Sequence, residues 1–173
     1  LAVQLLANGR RPLPIQLDDY FVDRELTPRD ANGQYDFESL RAVNLPLFND
    51  HLRRLMAGQT VQLPRYSFVK GRSEPGHVVS LGPDHIVIAE GIHGLNPALV
   101  PGVPGESVYR VYVSALTQLN LDRHNRVSTS DCRLIRRIVR DAATRGYSAA
   151  DTLRRWEAVM QGEKQHIFPY QEN

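Results

Sequence analysis

The chain has 173 residues, which is enough for one domain with a hydrophobic core. Its net charge of +2 is too small to indicate a nucleic-acid-binding protein by itself, and its single cysteine, Cys132, excludes an internal disulfide. No apolar run approaches the length of a membrane span and no signal peptide is visible, and the single cysteine favours a reducing, cytoplasmic location. Because the chain begins with Leu1 rather than Met and ends in a segment that looks unfinished, we expect it to be part of a larger polypeptide.

The first quarter of the chain predicts the end of a helix, a strand and a long connection. Apolar residues at i, i+4 spacing over residues 1–8, followed by Gly9, are typical of the last turns of a helix. Residues 13–17 predict the first strand. Residues 20–44 are polar and rich in turn signals, and a connection of this length is usually functional.

The middle of the chain predicts a helix and several strands. Residues 46–57 carry one apolar stripe and precede Gly58, which predicts an amphipathic helix. Residues 85–89 predict a strand covered on both faces, because β-branched residues lie on both. The other strand candidates are short runs at 60–63, 78–81 and 109–113, the first two enclosing an aromatic and basic hairpin-like segment at 64–72.

From residue 117 onward the pattern is helical. Three helices are predicted, at 117–126, from Ser130 or Asp131 to about Arg145, and from Ser148 to about Gly162. Ser148 and Asp151 have the spacing of a capping box in which Asp replaces Glu.

Carboxylates follow two of the predicted strands directly. Asp18 and Asp19 come after the strand at 13–17, and Glu90 comes after the strand at 85–89. Ligands of parallel α/β sheets bind just beyond the carboxyl ends of the strands, and an acid there can accept a hydroxyl proton or hold a metal ion. An equally weighted alternative is that Asp18 and Asp19 only cap the following turn.

Four arginines share one face of the second predicted C-terminal helix. Their spacing is i, i+3, i+4 and i+7, and they are Arg133, Arg136, Arg137 and Arg140. A solvated basic face is the usual explanation of such a run. Like charges this close repel one another, however, and Asp131 and Asp141 offset only part of that repulsion. A phosphate-rich ligand is therefore the favoured interpretation.

Four motifs together resemble the uridine kinase and phosphoribulokinase family of P-loop kinases. They are the segments at 17–21, 64–68, 87–92 and 133–141, in this order along the chain. The resemblance implies an α/β fold, with a P-loop-NTPase-like open parallel sheet flanked by helices. It also implies that the first strand and the P-loop are absent from this chain. We expect one kinase-like domain over residues 1–173, with a helical lid at about 117–162.

The resemblance also implies roles for individual residues. Asp18 would be the base that accepts the proton of the acceptor hydroxyl and would lie near the metal, and Glu90 would hold Mg²⁺. Arg133, Arg136, Arg137 and Arg140 would close over the phosphates of ATP. Tyr66, Asp36 and Tyr20 would bind the acceptor. The alternatives are that Tyr66 merely packs on its neighbours and that Asp36 is a surface charge between two rings.

The sequence departs from the family pattern at two points. Residues 1–173 contain no Gly-x-x-x-x-Gly-Lys-Ser/Thr motif, which in the family cradles the phosphates, so we expect little ATP turnover from these residues alone. Nucleoside-specific members place a base-reading His shortly after the Pro-x-Tyr-x-Phe motif, where this chain has Gly71. The identity of the acceptor is therefore left open.

Three functional hypotheses follow from these observations. The first is a kinase that uses ATP and Mg²⁺ to phosphorylate a nucleoside or a similar hydroxyl-bearing metabolite. The second is a non-catalytic nucleotide-binding or anion-binding module. The third and weakest is a nucleic-acid binder, because the net charge is small. No membrane partner is expected, the segment at 23–30 resembles family members that carry further domains ahead of the kinase, and the oligomeric state stays open.

Overall fold

The computed structural model describes residues 1–31, 33–113, 119–120 and 122–171. Two parallel strands, β1 (Arg11–Gln16) and β4 (His85–Glu90), pair from Arg11 opposite His85 to Gln16 opposite Glu90. Helices α1 (Ala2–Ala7) and α2 (Leu45–Met56) precede and follow β1. The predicted α/β class, with parallel strands and flanking helices, is confirmed.

The connection between β1 and β4 contains α2 and an antiparallel hairpin. Asn44 caps α2 by accepting the backbone N–H of Leu47, and Gly58 follows the helix with a φ of +72°. The hairpin consists of β2 (Val61–Ser67) and β3 (Arg72–Val79), both longer than the sequence predicts. The aromatic residues of this hairpin, Tyr66 and Phe68, pack against Phe21.

One apolar cluster holds β1, α2 and β2 together. Phe48 and Leu55 of α2 are fully buried, and Tyr20 stacks edge-on against Phe48 with its hydroxyl hydrogen-bonded to Nδ1 of His51 at 3.0 Å. The members of the cluster are Ile15, Leu17, Tyr20, Val43, Phe48, Leu52, Leu55, Val61 and Leu99. This cluster fixes the end of β1, from which Asp18 projects.

The C-terminal part contains a short ladder and two helices. Strands β5 (Leu119–Asn120) and β6 (Arg126–Val127) pair antiparallel and precede α3 (Thr129–Arg140) and α4 (Ala149–His166). The Ser148–Asp151 capping box that starts α4 is confirmed. Arg133 and Glu163 form a bidentate ion pair that joins α3 to α4. We call residues 129–166 the lid.

Three predictions of secondary structure are wrong. Residues 119–120 and 126–127 are not helical, because Asp122 accepts the backbone N–H groups of His124 and Asn125 and closes a turn there. Residues 109–113 form no strand, since no described strand lies beside them to satisfy their backbone. The third helix continues past Gly162. The predicted lid boundary at 117 falls within residues 114–118, which lie outside the described residues.

Strand β4 is also less buried than predicted. Ile86 is 38% exposed, and Ala89 and Glu90 are exposed. In the described part of the chain, only β1 pairs with β4, so the covered parallel strand that the sequence predicts has one open side. No helix among the described residues is long and apolar enough to cross a membrane.

The C-terminal end of α4 rests on a buried histidine. His93, which follows β4, is 1% exposed, and its ring lies edge-on to that of His166 with centroids 5.1 Å apart. Burial, reinforced by His166, lowers the pKa of His93 to about 4. His93 is therefore neutral in the folded protein at neutral pH.

This buried histidine predicts a loss of stability in mild acid. An unfolded histidine takes up its proton near pH 6.5, whereas the folded His93 does so near pH 4. Between these values the unfolded chain binds more protons, so the contribution of His93 is complete above pH 6.5 and is lost as the pH falls towards 4. We expect it to lower the free energy of unfolding by about 2 kcal/mol between pH 7 and pH 5.

Urea unfolding at the two pH values measures this effect. His93→Leu should remove this part of the pH dependence, whereas His124→Leu, at an exposed position, should keep it. The same acid sensitivity in wild type and His93→Leu would contradict the assignment.

Candidate active site

The ends of β1 and β4 bring two carboxylates together. Glu90 ends β4 opposite Gln16, and Asp18 lies two residues beyond, in a 3₁₀ turn at Leu17–Tyr20. The pKa of Glu90 is raised, chiefly by burial and then by the negative charge of Asp18. Gly91 keeps the two ends close, because a Cβ at this position would lie 2.8 Å from Cβ of Leu17. The sheet therefore presents two acids at one edge.

Arg145 belongs to the lid, and its side chain reaches this edge of the sheet. Its Nη2 donates to Oδ2 of Asp18 at 2.7 Å, and its guanidinium carbon lies 4.2 Å from the centre of the Phe68 ring. Arg145 is also one of the cations that oppose the raised pKa of Glu90, together with Arg140. Arg145 thus acts on both strand-end acids, and Arg140 acts on Glu90.

Sequence reasoning missed Arg145 because of an irregular turn. The predicted arginine stripe follows α-helical spacing, on which the next position is Thr144. Residues Asp141–Arg145 instead form a π-turn, which holds one more residue than an α-helical turn. The extra residue carries Arg145 toward the sheet, and Gly146 then ends the turn with a φ of +70°.

Asp141 gathers three arginines at the base of the lid. It is 3% exposed, and its carboxylate lies 3.0 Å from Arg140, 3.4 Å from Arg137 and 3.6 Å from Arg145. A buried carboxylate is stable when cations and hydrogen bonds surround it. Asp141 therefore offsets the charge of the lid and fixes the direction of its arginines.

The four arginines of the predicted stripe have different surroundings. Arg133 is committed to Glu163 of α4, and Arg137 lies 3.7 Å from Glu38. Arg136 is exposed and has no ion-pair partner among the described residues. Acids thus compensate more of the stripe than the sequence indicates, so repulsion alone does not require a bound anion. Arg140, beside Asp141 and Glu90, is the member nearest the strand-end acids.

The loop before α2 places Glu38 at the site instead of Asp36. Oδ1 of Asp36 accepts the backbone N–H groups of Glu38 and Ser39, both at 3.1 Å, so it shapes the loop. Glu38 faces Arg137, and burial raises its pKa despite that cation. Gly162 of α4 permits this approach, since a Cβ there would lie 2.6 Å from Cβ of Glu38.

The two predicted acceptor tyrosines lie in different places. Tyr20 is 1% exposed in the core with its hydroxyl bonded to His51, so it does not face the site. Tyr66 lies in the hairpin, where its ring contacts those of Phe21 and Phe68 at centroid distances of 5.6 and 5.2 Å. Asp19 holds this part of β2 by accepting the backbone N–H of Tyr66 at 3.1 Å.

The two strand-end acids suit a magnesium ion. Mg²⁺ prefers oxygen ligands and is commonly bound by one or two carboxylates, substrate phosphates and water. Asp18 and Glu90 repel each other across the partly buried edge, and a divalent cation would relieve that repulsion. No group of three or more His, Cys, Asp or Glu with metal-binding geometry occurs among the described residues, so a site here needs substrate or water ligands.

Curated relatives of this chain are uridine kinases. A uridine kinase of Halobacterium salinarum is 30% identical over 141 residues, which cover 80% of this chain and 54% of the relative. A uridine-cytidine kinase B of Dictyostelium discoideum is 29% identical over 151 residues, or 87% and 55% of the two chains. The chain thus spans about half the length of these curated relatives.

One solved structure and one family profile also align with this chain. The structure of a possible uridine kinase from Bacillus stearothermophilus aligns with a TM-score of 0.42 and 21% identity, over 53% of this chain and 50% of that one. The profile of the Phosphoribulokinase / Uridine kinase family matches residues 15–173, which include both strand-end acids and the lid. The chain therefore belongs to the phosphoribulokinase / uridine kinase family.

Proposed function

We propose that the protein containing this chain transfers a phosphoryl group from ATP to a hydroxyl of a nucleoside or a similar small metabolite. The observation that carries the proposal is the meeting of Asp18 and Glu90 with Arg145 and Arg140 at one sheet edge. Phosphoryl transfer depends mostly on positioning and on neutralising charge, and acids and arginines together suit that task. Family membership supports a kinase, and the names of the relatives suggest a nucleoside acceptor.

Asp18 is the candidate base. As a carboxylate at the end of β1, it is placed to accept the proton that the acceptor hydroxyl releases. In the structure this carboxylate forms an ion pair with Arg145, with Nη2 and Oδ2 2.7 Å apart. Arg145 and Arg140 would then stabilise the negative charge of the transferred group.

Glu38 and Arg137 are the candidate acceptor-binding pair. Both side chains are mostly buried and lie 3.7 Å apart, between the loop before α2 and the lid. A carboxylate accepts hydrogen bonds from two neighbouring hydroxyls, and a guanidinium donates to their oxygens. This pair therefore suits a sugar-like acceptor.

Mg²⁺, when bound by Asp18 and Glu90, would neutralise phosphate charge. Residues 1–173 contain no Gly-x-x-x-x-Gly-Lys-Ser/Thr motif, so the proposal concerns the intact protein. The lack of this motif in residues 1–173 favours a second candidate function, a nucleotide-binding module without turnover. Measuring phosphate transfer by the intact protein separates the two.

Asp18→Asn should lower turnover far more than it weakens nucleotide binding, because Glu90 and the lid arginines remain to hold Mg·ATP. The amide keeps the size of the side chain but cannot accept the proton, so we expect kcat to fall by about 10²–10⁴-fold. A coupled ADP-release assay and calorimetric titration with Mg·ATP measure the two quantities in the intact protein. Asp50→Asn, on the exposed side of α2, is the matched control. Full turnover by Asp18→Asn would rule out the base assignment.

Glu38→Gln should weaken binding of the acceptor more than it slows phosphoryl transfer. It loses a charge-assisted hydrogen bond, so we expect the KM for the acceptor to rise about tenfold while kcat changes less. Steady-state kinetics with varied acceptor measure this, and Glu25→Gln, at an exposed position of the same connection, is the control. An unchanged KM would exclude Glu38 from the acceptor site.

A further inference from the structure

Asp18 and Asp19 are consecutive residues whose carboxylates hold different parts of the chain. Residues Leu17–Tyr20 form a 3₁₀ turn, in which side chains three residues apart lie above one another. Leu17 and Tyr20 accordingly share one side of the turn, and they are 2% and 1% exposed in the core. The same geometry directs Asp18 and Asp19 to two further sides, about 120° apart. The end of β1 can therefore hold two neighbours.

Asp18 contacts the lid, and Asp19 contacts the hairpin. Nη2 of Arg145 donates to Oδ2 of Asp18 at 2.7 Å, whereas Oδ1 of Asp19 accepts the backbone N–H of Tyr66 at 3.1 Å. The second bond joins residues that are 47 positions apart in the sequence. Asp19 is therefore a tertiary support for β2, which a residue that only caps the following turn would not be.

Phe68 completes a closed circle of contacts between these two neighbours. It directly follows β2, and its ring contacts that of Tyr66 with centroids 5.2 Å apart. Cζ of Arg145 lies 4.2 Å from the centre of the same Phe68 ring. The circle thus runs from Asp18 through Arg145, Phe68 and Tyr66 to Asp19, which the chain joins to Asp18. The position of the hairpin consequently determines where Arg145 finds the ring that supports it.

Asp23 gives the hairpin a second support of the same kind outside this circle. Its Oδ1 accepts the backbone N–H of Ser73 at 3.1 Å, and Ser73 lies directly opposite Tyr66 in the β2–β3 ladder. The Asp19 and Asp23 bonds therefore have the same chemistry and hold paired residues of the two strands. Asp23 differs because it is farther along the chain from Asp18 and bonds β3, whereas Phe68 directly follows β2.

We propose that Asp19 is a positioning residue for phosphoryl transfer, and that it acts by holding the hairpin so that Phe68 supports Arg145 against Asp18. This inference rests on the proposed function. Without an acceptor at position 19, β2 would be released at Tyr66 and the Phe68 ring would move relative to Arg145. Because Arg145 is proposed to act on the transferred group, the effect falls on kcat more than on binding of Mg·ATP.

Asp19→Ala and Asp19→Asn test this role in the intact protein. Alanine removes the acceptor, whereas the amide oxygen of asparagine can still accept the Tyr66 N–H. We expect kcat to fall about tenfold in Asp19→Ala and to stay within about threefold of the wild type in Asp19→Asn. The dissociation constant for Mg·ATP should change by less than about threefold in both. The ADP-release assay and calorimetric titration measure these quantities.

Asp23→Ala is the matched control. It removes the equivalent bond to Ser73, so it should lower thermal stability about as much as Asp19→Ala while keeping kcat within about threefold of the wild type. Equal losses of kcat in Asp23→Ala and Asp19→Ala would overturn the proposal, because any loosening of the hairpin would then have the same effect. A tenfold loss in Asp19→Asn would also overturn it, since that variant keeps the acceptor oxygen.

The coupling between Asp18 and Arg145 provides a readout that does not depend on turnover. It is the departure from additivity of Asp18→Asn and Arg145→Gln in the free energy of unfolding, measured in urea without nucleotide. Asp19→Ala should lower this coupling to less than half, because Arg145 loses its support. Asp19→Asn and Asp23→Ala should leave it unchanged.

The two readouts distinguish this inference from the proposed function. If Asp19→Ala changes neither kcat nor the coupling, or changes only one of them, the inference is wrong and the kinase proposal stands. If the coupling depends on Asp19 in an intact protein that transfers no phosphate, Asp19 positions Arg145 and the kinase proposal is wrong. A parallel loss of kcat and coupling in Asp19→Ala, restored in Asp19→Asn, is the result that the inference predicts.

Discussion

The ion pair between Arg145 and Asp18 is the contact on which the arrangement of the site depends. It joins the lid to the end of β1, and no other described ion pair makes that connection. The apolar cluster around Phe48 and Leu55 fixes the strand end, whereas a π-turn fixes the arginine. These supports belong to separate parts of the chain, so the arrangement of the site depends on the contact between the lid and the strand end. Phe68 adds a cation–π contact with Arg145 that brings the hairpin into the same arrangement.

Acids within the protein balance much of the positive charge of the lid arginines, so a ligand is not needed to relieve repulsion among them. Asp141, Glu163 and Glu38 take up much of the positive charge that the sequence leaves uncompensated. Under the proposed function, an incoming phosphate would compete with these acids instead of relieving simple repulsion. Under the proposed function, Arg145 would pass from Asp18 to a phosphate oxygen and release the carboxylate when the nucleotide binds. The bidentate Arg133–Glu163 pair can then keep α3 and α4 together.

The sequence predicted the helices and strands that position this site better than it predicted the side chains within it. Runs of apolar residues and cap residues marked β1, β4, α2 and the start of α4, because these signals are local. The sequence did not show that Asp36 accepts backbone N–H groups and shapes the loop, which leaves Glu38 to face the lid. Nor did it show that Tyr20 is buried with its hydroxyl bonded to the distant His51. Arg145 lay off the predicted stripe because a π-turn carries no clear local signal. Residues 109–113 had strand-forming residues but no described strand to pair with.

A double-mutant cycle between Asp18 and Arg145 tests most directly whether the strand end and the lid form one site. The free energies of unfolding of wild type, Asp18→Asn, Arg145→Gln and the double variant would be measured in urea without nucleotide. A contact at 2.7 Å predicts that the two substitutions are coupled by about 1 kcal/mol. Effects that add to within about 0.3 kcal/mol would contradict the account, because the lid would then be independent of the acid that it is said to hold.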